Sequence, residues 1–279
     1  MRIILLGTGT PILEPNRQAS AILIEAGDEK LLFDAGWGVM TQLVQARVQP
    51  QHVNPVFITH HHYDHIGNLG EFLLTAWHYG RREPLTVYGP FGTAEIVAAL
   101  LERVYAREIA FTLFNNDNLI DIRDLVQVKE VESGLVCESG GWKVFAEYVD
   151  HGNSQGLSRK DWPCLGYRIE AEGKVVAISG DAVDCPGLDR LARDADVLVQ
   201  CCYLAEAEFT TSAFKRLAGH VIACSDQVGR IAARNGVKKL VLTHIRPKPE
   251  DMMRSLLADV RRDYNGELCL GEDLMVIDV

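Results

Sequence analysis

The chain alternates short, strongly apolar runs with longer stretches of helical period. Arg2–Leu6, Ser20–Ile24 and Lys30–Phe33 read as an opening meander of strands, with turns at Gly7–Pro11 and Gly27–Asp28. Val39–Val48 has a helical pattern, and Val56–Thr59 is a short apolar strand. Helix Asn68–Tyr79, strand Leu85–Tyr88 and helix Ala94–Arg107 follow. The second half repeats this alternation. Trp142–Tyr148 is a strand, and Cys164–Glu170 with Lys174–Ile178 form a hairpin around Glu172-Gly173. Val197–Cys201 and Lys239–Thr243 are strands. Between them Ser225–Asn235 is a helix, with Ser225 as its N-cap and Gly236 as its stop. An amphipathic helix over Pro249–Tyr264 and a strand over Leu274–Asp278 close the chain. Strands alternating with helices predict an α/β fold. No linker or composition break divides the sequence, so one domain spanning residues 1–279 is expected.

Four of the predicted strands run directly into a His or an Asp: His60, His151, Asp181 and His244. In α/β sheets the carboxyl ends of strands open onto the crevice where ligands bind. Side chains at four such ends can converge on one point.

The first of these ends carries more than one candidate. Residues 59–65 read Thr-His-His-His-Tyr-Asp-His, which places four of the nine histidines within six positions. His60 and His62 are two apart, so in extended backbone they face the same side and can hold one metal ion. Asp64 and His65 follow the turn and reach a neighbouring point. A carboxylate among imidazoles suits a harder or a second cation and can bridge two. A pair of cations about 3.5–4 Å apart clamps the attacking and leaving oxygens of a displacement. Such a pair needs six or seven protein ligands, and His151, Asp181 and His244 complete that number. His61 and Tyr63 alternate away from the ligand positions. Trp162, in the loop that follows His151, is placed to line a pocket beside the metals. His78 is expected in the core or in a pocket wall, and His52 at the surface.

Composition adds limits. The chain is 47% hydrophobic and 24% charged, ordinary for a globular protein, with a formal net charge of −10. An acidic total disfavours a long polyanion as partner, because nucleic-acid affinity rests on Lys and Arg neutralising phosphates. Seven cysteines without a CxxC pair are not a disulfide framework and fit a reducing, cytoplasmic setting. The opening MRIILLGTGT reads as a buried strand and not as a signal peptide. No apolar run approaches about 18 residues, so no membrane span is expected.

His60-His61-His62-Tyr63-Asp64-His65 resembles the His-x-His-x-Asp-His signature of the metallo-β-lactamase superfamily. Gly7-Thr8-Gly9-Thr10-Pro11 with Arg17 and Ser20, Phe33-Asp34-Ala35-Gly36, Val87-Tyr88-Gly89-Pro90, Ser179-Gly180-Asp181 and Leu242-Thr243-His244 resemble its ribonuclease Z and arylsulfatase-like branch. The resemblance implies a four-layer αβ/βα sandwich with the site along one sheet edge. It implies that His60, His62 and His151 bind a first metal, Asp64, His65 and His244 a second, and that Asp181 and a hydroxide bridge them. It further implies a proton-donating His near position 220, which His220 in Leu217-Ala218-Gly219-His220 supplies, and a possible homodimer.

The sequence also departs from that branch. Ribonuclease Z proteins carry a long basic arm between the equivalents of His151 and Asp181, where this chain has one tight hairpin. A His-Glu-Ala-Thr segment of that family stands here as Gln200-Cys201-Cys202-Tyr203. Together with the acidic total, these departures point to a small-molecule substrate and no nucleic acid. The expected reaction is dinuclear hydrolysis of a phosphodiester, aryl sulfate, lactone or related ester or amide. The hydroxide, oriented by Asp64, would attack, and His220 would protonate the departing oxygen. Zinc is the expected metal, with manganese or iron as alternatives. Two further functions are carried forward. One is a tRNA 3′-processing endonuclease of ribonuclease Z type. The other is a mononuclear iron oxygenase acting on a sulfur substrate.

Overall fold

The computed structural model describes all of residues 1–279. The first sheet takes β1 (Arg2–Gly7), β2 (Ala21–Ala26), β3 (Glu29–Phe33), β4 (Val56–Phe57), β5 (Leu85–Gly89) and β6 (Val126–Glu130). The second takes β7 (Gly134–Ser139), β8 (Trp142–Tyr148), β9 (Leu165–Ala171), β10 (Lys174–Ile178), β11 (Val197–Cys201), β12 (Lys239–Thr243) and β13 (Glu267–Leu270). The last strand, β14 (Val276–Asp278), returns to pair with β1 at the edge of the first sheet. Strand orders are 14-1-2-3-4-5-6 and 13-12-11-10-9-8-7. Each sheet opens as an antiparallel meander and continues as parallel strands, from β3 to β6 and from β10 to β13. The repeated alternation along the sequence is therefore a repeated half-fold.

Alternation along the strands builds the layers. Ile3, Leu5, Leu31 and Phe33 face inward and meet Val144, Tyr167, Val176, Val199 and Val241 of the other sheet. The intervening Ile4, Leu6 and Leu32 face outward and are covered by helices Val39–Gln45 and Leu69–His78. Leu198, Leu240 and Leu242 do the same beneath helices Pro186–Ala192, Ser225–Arg234 and Glu250–Asp263. Strands buried on both faces need continuous apolar runs, as parallel strands under helices do. The result is helix, sheet, sheet, helix: the four-layer αβ/βα sandwich.

Several local readings shift. The helix expected over Ala94–Arg107 begins as Thr93–Ala99, passes through a π-helical turn at Leu100–Val104 and resumes as Ala106–Phe114. Ser225 does not cap its helix, because Cys224 occupies that position. The Ser225 hydroxyl instead donates to Asp259 at 2.6 Å and accepts from the Glu206 amide, tying three segments together. The hairpin at Glu172-Gly173 forms as read, with both residues at positive φ (55° and 71°), the conformation of a two-residue hairpin turn. No helix is long and apolar enough to cross a membrane.

Candidate metal centre

The strand ends meet along one edge between the sheets. His60, His151 and Asp181 each lie three residues beyond β4, β8 and β10, and His244 directly follows β12. After His62 the chain turns into the short helix Tyr63–Ile66, which carries Asp64 and His65 inward, both 1% exposed. Gly36 permits the close approach: a Cβ there would stand 2.2 Å from the Asp64 carbonyl oxygen.

Two donor sets result. His60, His62, His151 and Asp181 form one and Asp64, His65 and His244 the other, with ligand atoms within 4.8 Å of each other in each set. The Nδ1 of His62 lies 2.9 Å from His60 Nε2 and 3.1 Å from His151 Nε2. One proton can serve only one of those contacts, whereas a cation at their centre serves all three nitrogens. Asp181 faces both sets. Its Oδ1 is 3.6 Å from His65 Nε2, and its Oδ2 is 3.3 Å from His244 Nε2 and 3.9 Å from His151 Nε2. All seven residues predicted as ligands are thus brought together.

The donor set fits divalent cations on a further observation. Asp64 Oδ1, His65 Nε2 and His244 Nδ1 are buried with no hydrogen-bond partner. Such groups normally cost about 1–3 kcal/mol each when left unpaired, more if charged. Coordination would relieve that cost for His65, whose Nε2 faces Asp64 and Asp181.

Neighbours hold the rings for ligation. His65 Nδ1 donates to Asp34 Oδ2 at 2.6 Å, and His151 Nδ1 donates to the Val221 carbonyl at 2.5 Å. Each bond leaves Nε2 free for a metal, the arrangement that fixes tautomer and ring orientation in metal sites. Asp34 also accepts from the Thr59 amide at 2.8 Å and from its hydroxyl at 2.9 Å. In the sequence Asp34 stands only within the Phe33-Asp34-Ala35-Gly36 resemblance and not among the candidate site residues. The signal is in the sequence: like His244, it directly follows a strand end, here β3. Asp34 and His244 both have positive φ, 61° and 53°. Non-glycine residues adopt this region seldom, and often where function over-determines the backbone.

Protonation follows burial and charge. Burial, then the neighbouring His65 and His151, drives His60 well below its ordinary range. Burial and His151 push His62 down to about 4. Burial lowers His151 against the pull of Asp181. Burial opposes the charges of Asp181 and His65, but their mutual attraction prevails. His244 and His65 hold Asp181 well below the carboxylate range, and Asp34 and Asp181 hold His65 well above that of imidazole. Neutral imidazoles in the first set and an ionised Asp181 are the protonation states metal binding needs.

The remaining candidates fall around this centre. His61 turns away, 2.8 Å from the Thr93 hydroxyl, and Tyr63 is exposed with its hydroxyl on the Pro11 carbonyl. Trp162 stands against the first set, with its ring 4.7 Å from that of His62. His220 ends helix Ser212–His220 beside the His151 loop. It is exposed, with Nδ1 3.1 Å from the Ser154 hydroxyl, and it lies outside the lining of the cleft over the metals. His78 is neither core nor pocket wall. It is exposed and 3.3 Å from Glu108. His52 is exposed, as expected.

Relatives agree with this geometry. The sequence profile described as the Beta-lactamase superfamily domain matches residues 29–245. A protein named Ribonuclease Z from Mycobacterium marinum is 33% identical over all of this chain and 99% of its own length. One of the same name from Mycobacterium avium is 33% identical over all of the chain and 98% of its own. The chain belongs to the metallo-β-lactamase superfamily, in its ribonuclease Z branch. It is a metal-dependent hydrolase. The human tRNase Z short form superposes with a TM-score of 0.74 at 23% identity, covering all of this chain and 99% of its own. The Bacillus subtilis metallo-β-lactamase fold protein YhfI superposes at 0.75 and 20% identity, covering 99% and 98%. Both show the shared fold.

These relatives correct one expectation. Full-length similarity to ribonucleases overturns the reading of a small-molecule substrate with no nucleic acid. The error was physical. A charge of −10 sums the whole surface and does not report the field at the site, where Arg216 lines the cleft. The total also counts buried Asp34, Asp64 and Asp181, whose charges are directed at the metal centre and its ligands.

Proposed function

We propose that this protein is a dinuclear metal-dependent phosphodiesterase acting on RNA, a tRNA 3′-processing endonuclease of ribonuclease Z type. One observation carries the reading: two complete donor sets share Asp181 in a chain similar along its whole length to ribonuclease Z proteins. His60, His62 and His151 would hold one cation, Asp64, His65 and His244 the other, and Asp181 both. Imidazole with carboxylate favours zinc. When bound, such a pair supplies Lewis acidity to a phosphoryl oxygen and brings the ionisation of water near neutral pH.

The chain's own groups do the rest. Asp34 and the Val221 carbonyl keep His65 and His151 in the ligating tautomer. The free Oδ1 of Asp64 is available to accept a hydrogen bond from the attacking water and orient it. His220 is the proposed proton donor to the departing ribose oxygen. Ser154 engages its Nδ1, leaving Nε2 as the nitrogen to carry the transferred proton.

The test is elemental analysis of the purified protein, followed by incubation with a precursor tRNA bearing a 3′ trailer. Two zinc ions per chain, with a single cut at the trailer junction that a chelator abolishes, are expected. Intact precursor alongside turnover of a chromogenic phosphodiester would reject RNA as the substrate.

A further inference from the structure

Beside the first donor set lies a cleft of about 550 Å³ with His62 and His151 at its base. Its lining is apolar at Trp162, Leu157 and Val221 and polar at Arg216 and Gln155. The volume falls within the range of small-ligand sites. Trp162 forms the wall closest to the metals, with its ring 4.7 Å from His62 and 6.1 Å from His60. Its loop is fastened in place. Asn153 Nδ2 donates to the Trp162 carbonyl at 2.9 Å and to the Leu157 carbonyl at 3.2 Å. Gly152 and Gly156, both at positive φ, bracket the turn between them. Arg216, also in the lining, donates from Nε to the Gln155 side-chain oxygen, which tethers the guanidinium to the cleft.

The chemistry of this lining is specific. An indole face backed by leucine accepts a flat heterocycle. A guanidinium in the same lining donates to a phosphate in fork geometry. Base stacking on aromatic side chains combined with a cationic partner for the backbone is how single-stranded nucleic acid is held without sequence readout. Leu157 is 51% exposed, so this apolar wall faces solvent until something covers it. The cleft is continuous with the metal centre, so its occupant must be the part of the substrate next to the reacting phosphorus.

From this we infer that the cleft binds one nucleotide flanking the scissile phosphodiester, its base stacked on Trp162 and its phosphate on Arg216. The inference rests on the ribonuclease reading and adds a substrate-positioning pair that the metal ligands do not require.

The experiment measures binding to the metal-loaded protein by calorimetry, with adenosine 5′-monophosphate against ribose 5-phosphate, which lacks the base. Wild type is expected to prefer the nucleotide by about 5- to 100-fold, the range of one stacked base. W162A should erase that preference and W162F should keep most of it, with metal content unchanged in both. R216A should weaken both ligands alike, by about tenfold or more. In RNA cleavage W162A should raise KM by a similar factor and leave kcat within threefold. A nucleotide preference that survives in W162A, or is absent from wild type, overturns the stacking role. An unchanged phosphate affinity in R216A overturns the arginine's part. The calorimetric preference is read without RNA cleavage, so failure of the ribonuclease reading and failure of this inference are separate results.

Discussion

Replacing Asp34 by Asn tests whether the metal centre depends on a group that touches no metal. Asp34 is 3% exposed and accepts from Thr59 N, Thr59 Oγ1 and His65 Nδ1 at 2.8, 2.9 and 2.6 Å. Asn is nearly isosteric and tolerates the positive φ of 61° at this position. Its carbonyl can still take the Thr59 amide, but its NH₂ then faces His65 Nδ1. Two donors cannot share that contact, so His65 must move its proton to Nε2, the nitrogen that faces Asp64 and Asp181. Loss of such an orienting partner costs about 10- to 100-fold in metal affinity, or roughly 1.4–2.7 kcal/mol. The loss should fall on the second ion alone, because His65 belongs to the set with Asp64 and His244. Competition with a chromogenic chelator would show one tight ion and one weakened by that factor. Thermal stability of the stripped protein should drop by only about 1–3 kcal/mol, the value of a charge-assisted hydrogen bond. Two ions bound within threefold of wild type would refute the tautomer argument. Equal weakening of both ions would place the effect in general unfolding.

Other outcomes follow from the same geometry. Asp181→Ala removes the only carboxylate facing both sets, so it should lower metal content below two per chain and kcat/KM by at least about 100-fold; activity within tenfold of wild type would sink the bridging role. His220→Ala should retain both metals and slow cleavage of substrates with poor leaving groups far more than activated aryl esters; equal slowing would argue against proton donation. Stripped protein should lose stability as pH falls from about 6.5 to 4. His62 sits at about 4 when folded and near 6.5 when unfolded, so in that window the unfolded chain takes up the proton. His60 and His151 shift the same way. A melting temperature constant between pH 7 and 5 would contradict this sign.

What the sequence determined by itself was set by local constraint. Apolar runs such as Val197–Cys201 and Lys239–Thr243 have no stable place except a covered strand, so their ends, and the His or Asp there, were legible. The Glu172-Gly173 hairpin was legible because its turn needs positive φ, which Gly173 accepts. The seven grouped donors followed from those ends and from the spacing of residues 60–65. The apolar pattern does not mark three strands, β6, β7 and β13, and each lies at a sheet edge. For the fourth edge strand the pattern starts at Leu274, whereas the strand begins at Val276. Edge strands are bonded on one side and partly exposed, as in β7 with no buried residue, so they carry little apolar signal. Tertiary structure alone decided the rest. Asp34 meets His65 across 31 residues, and His151 meets the Val221 carbonyl across 70. No local pattern encodes contacts at that separation. Ser225 has the residue type of a cap, yet its hydroxyl is claimed by Asp259 on a helix 34 residues away. The net charge misled for the same reason: it is a sum, and the cleft's field depends on where Arg216 and the buried carboxylates come to rest.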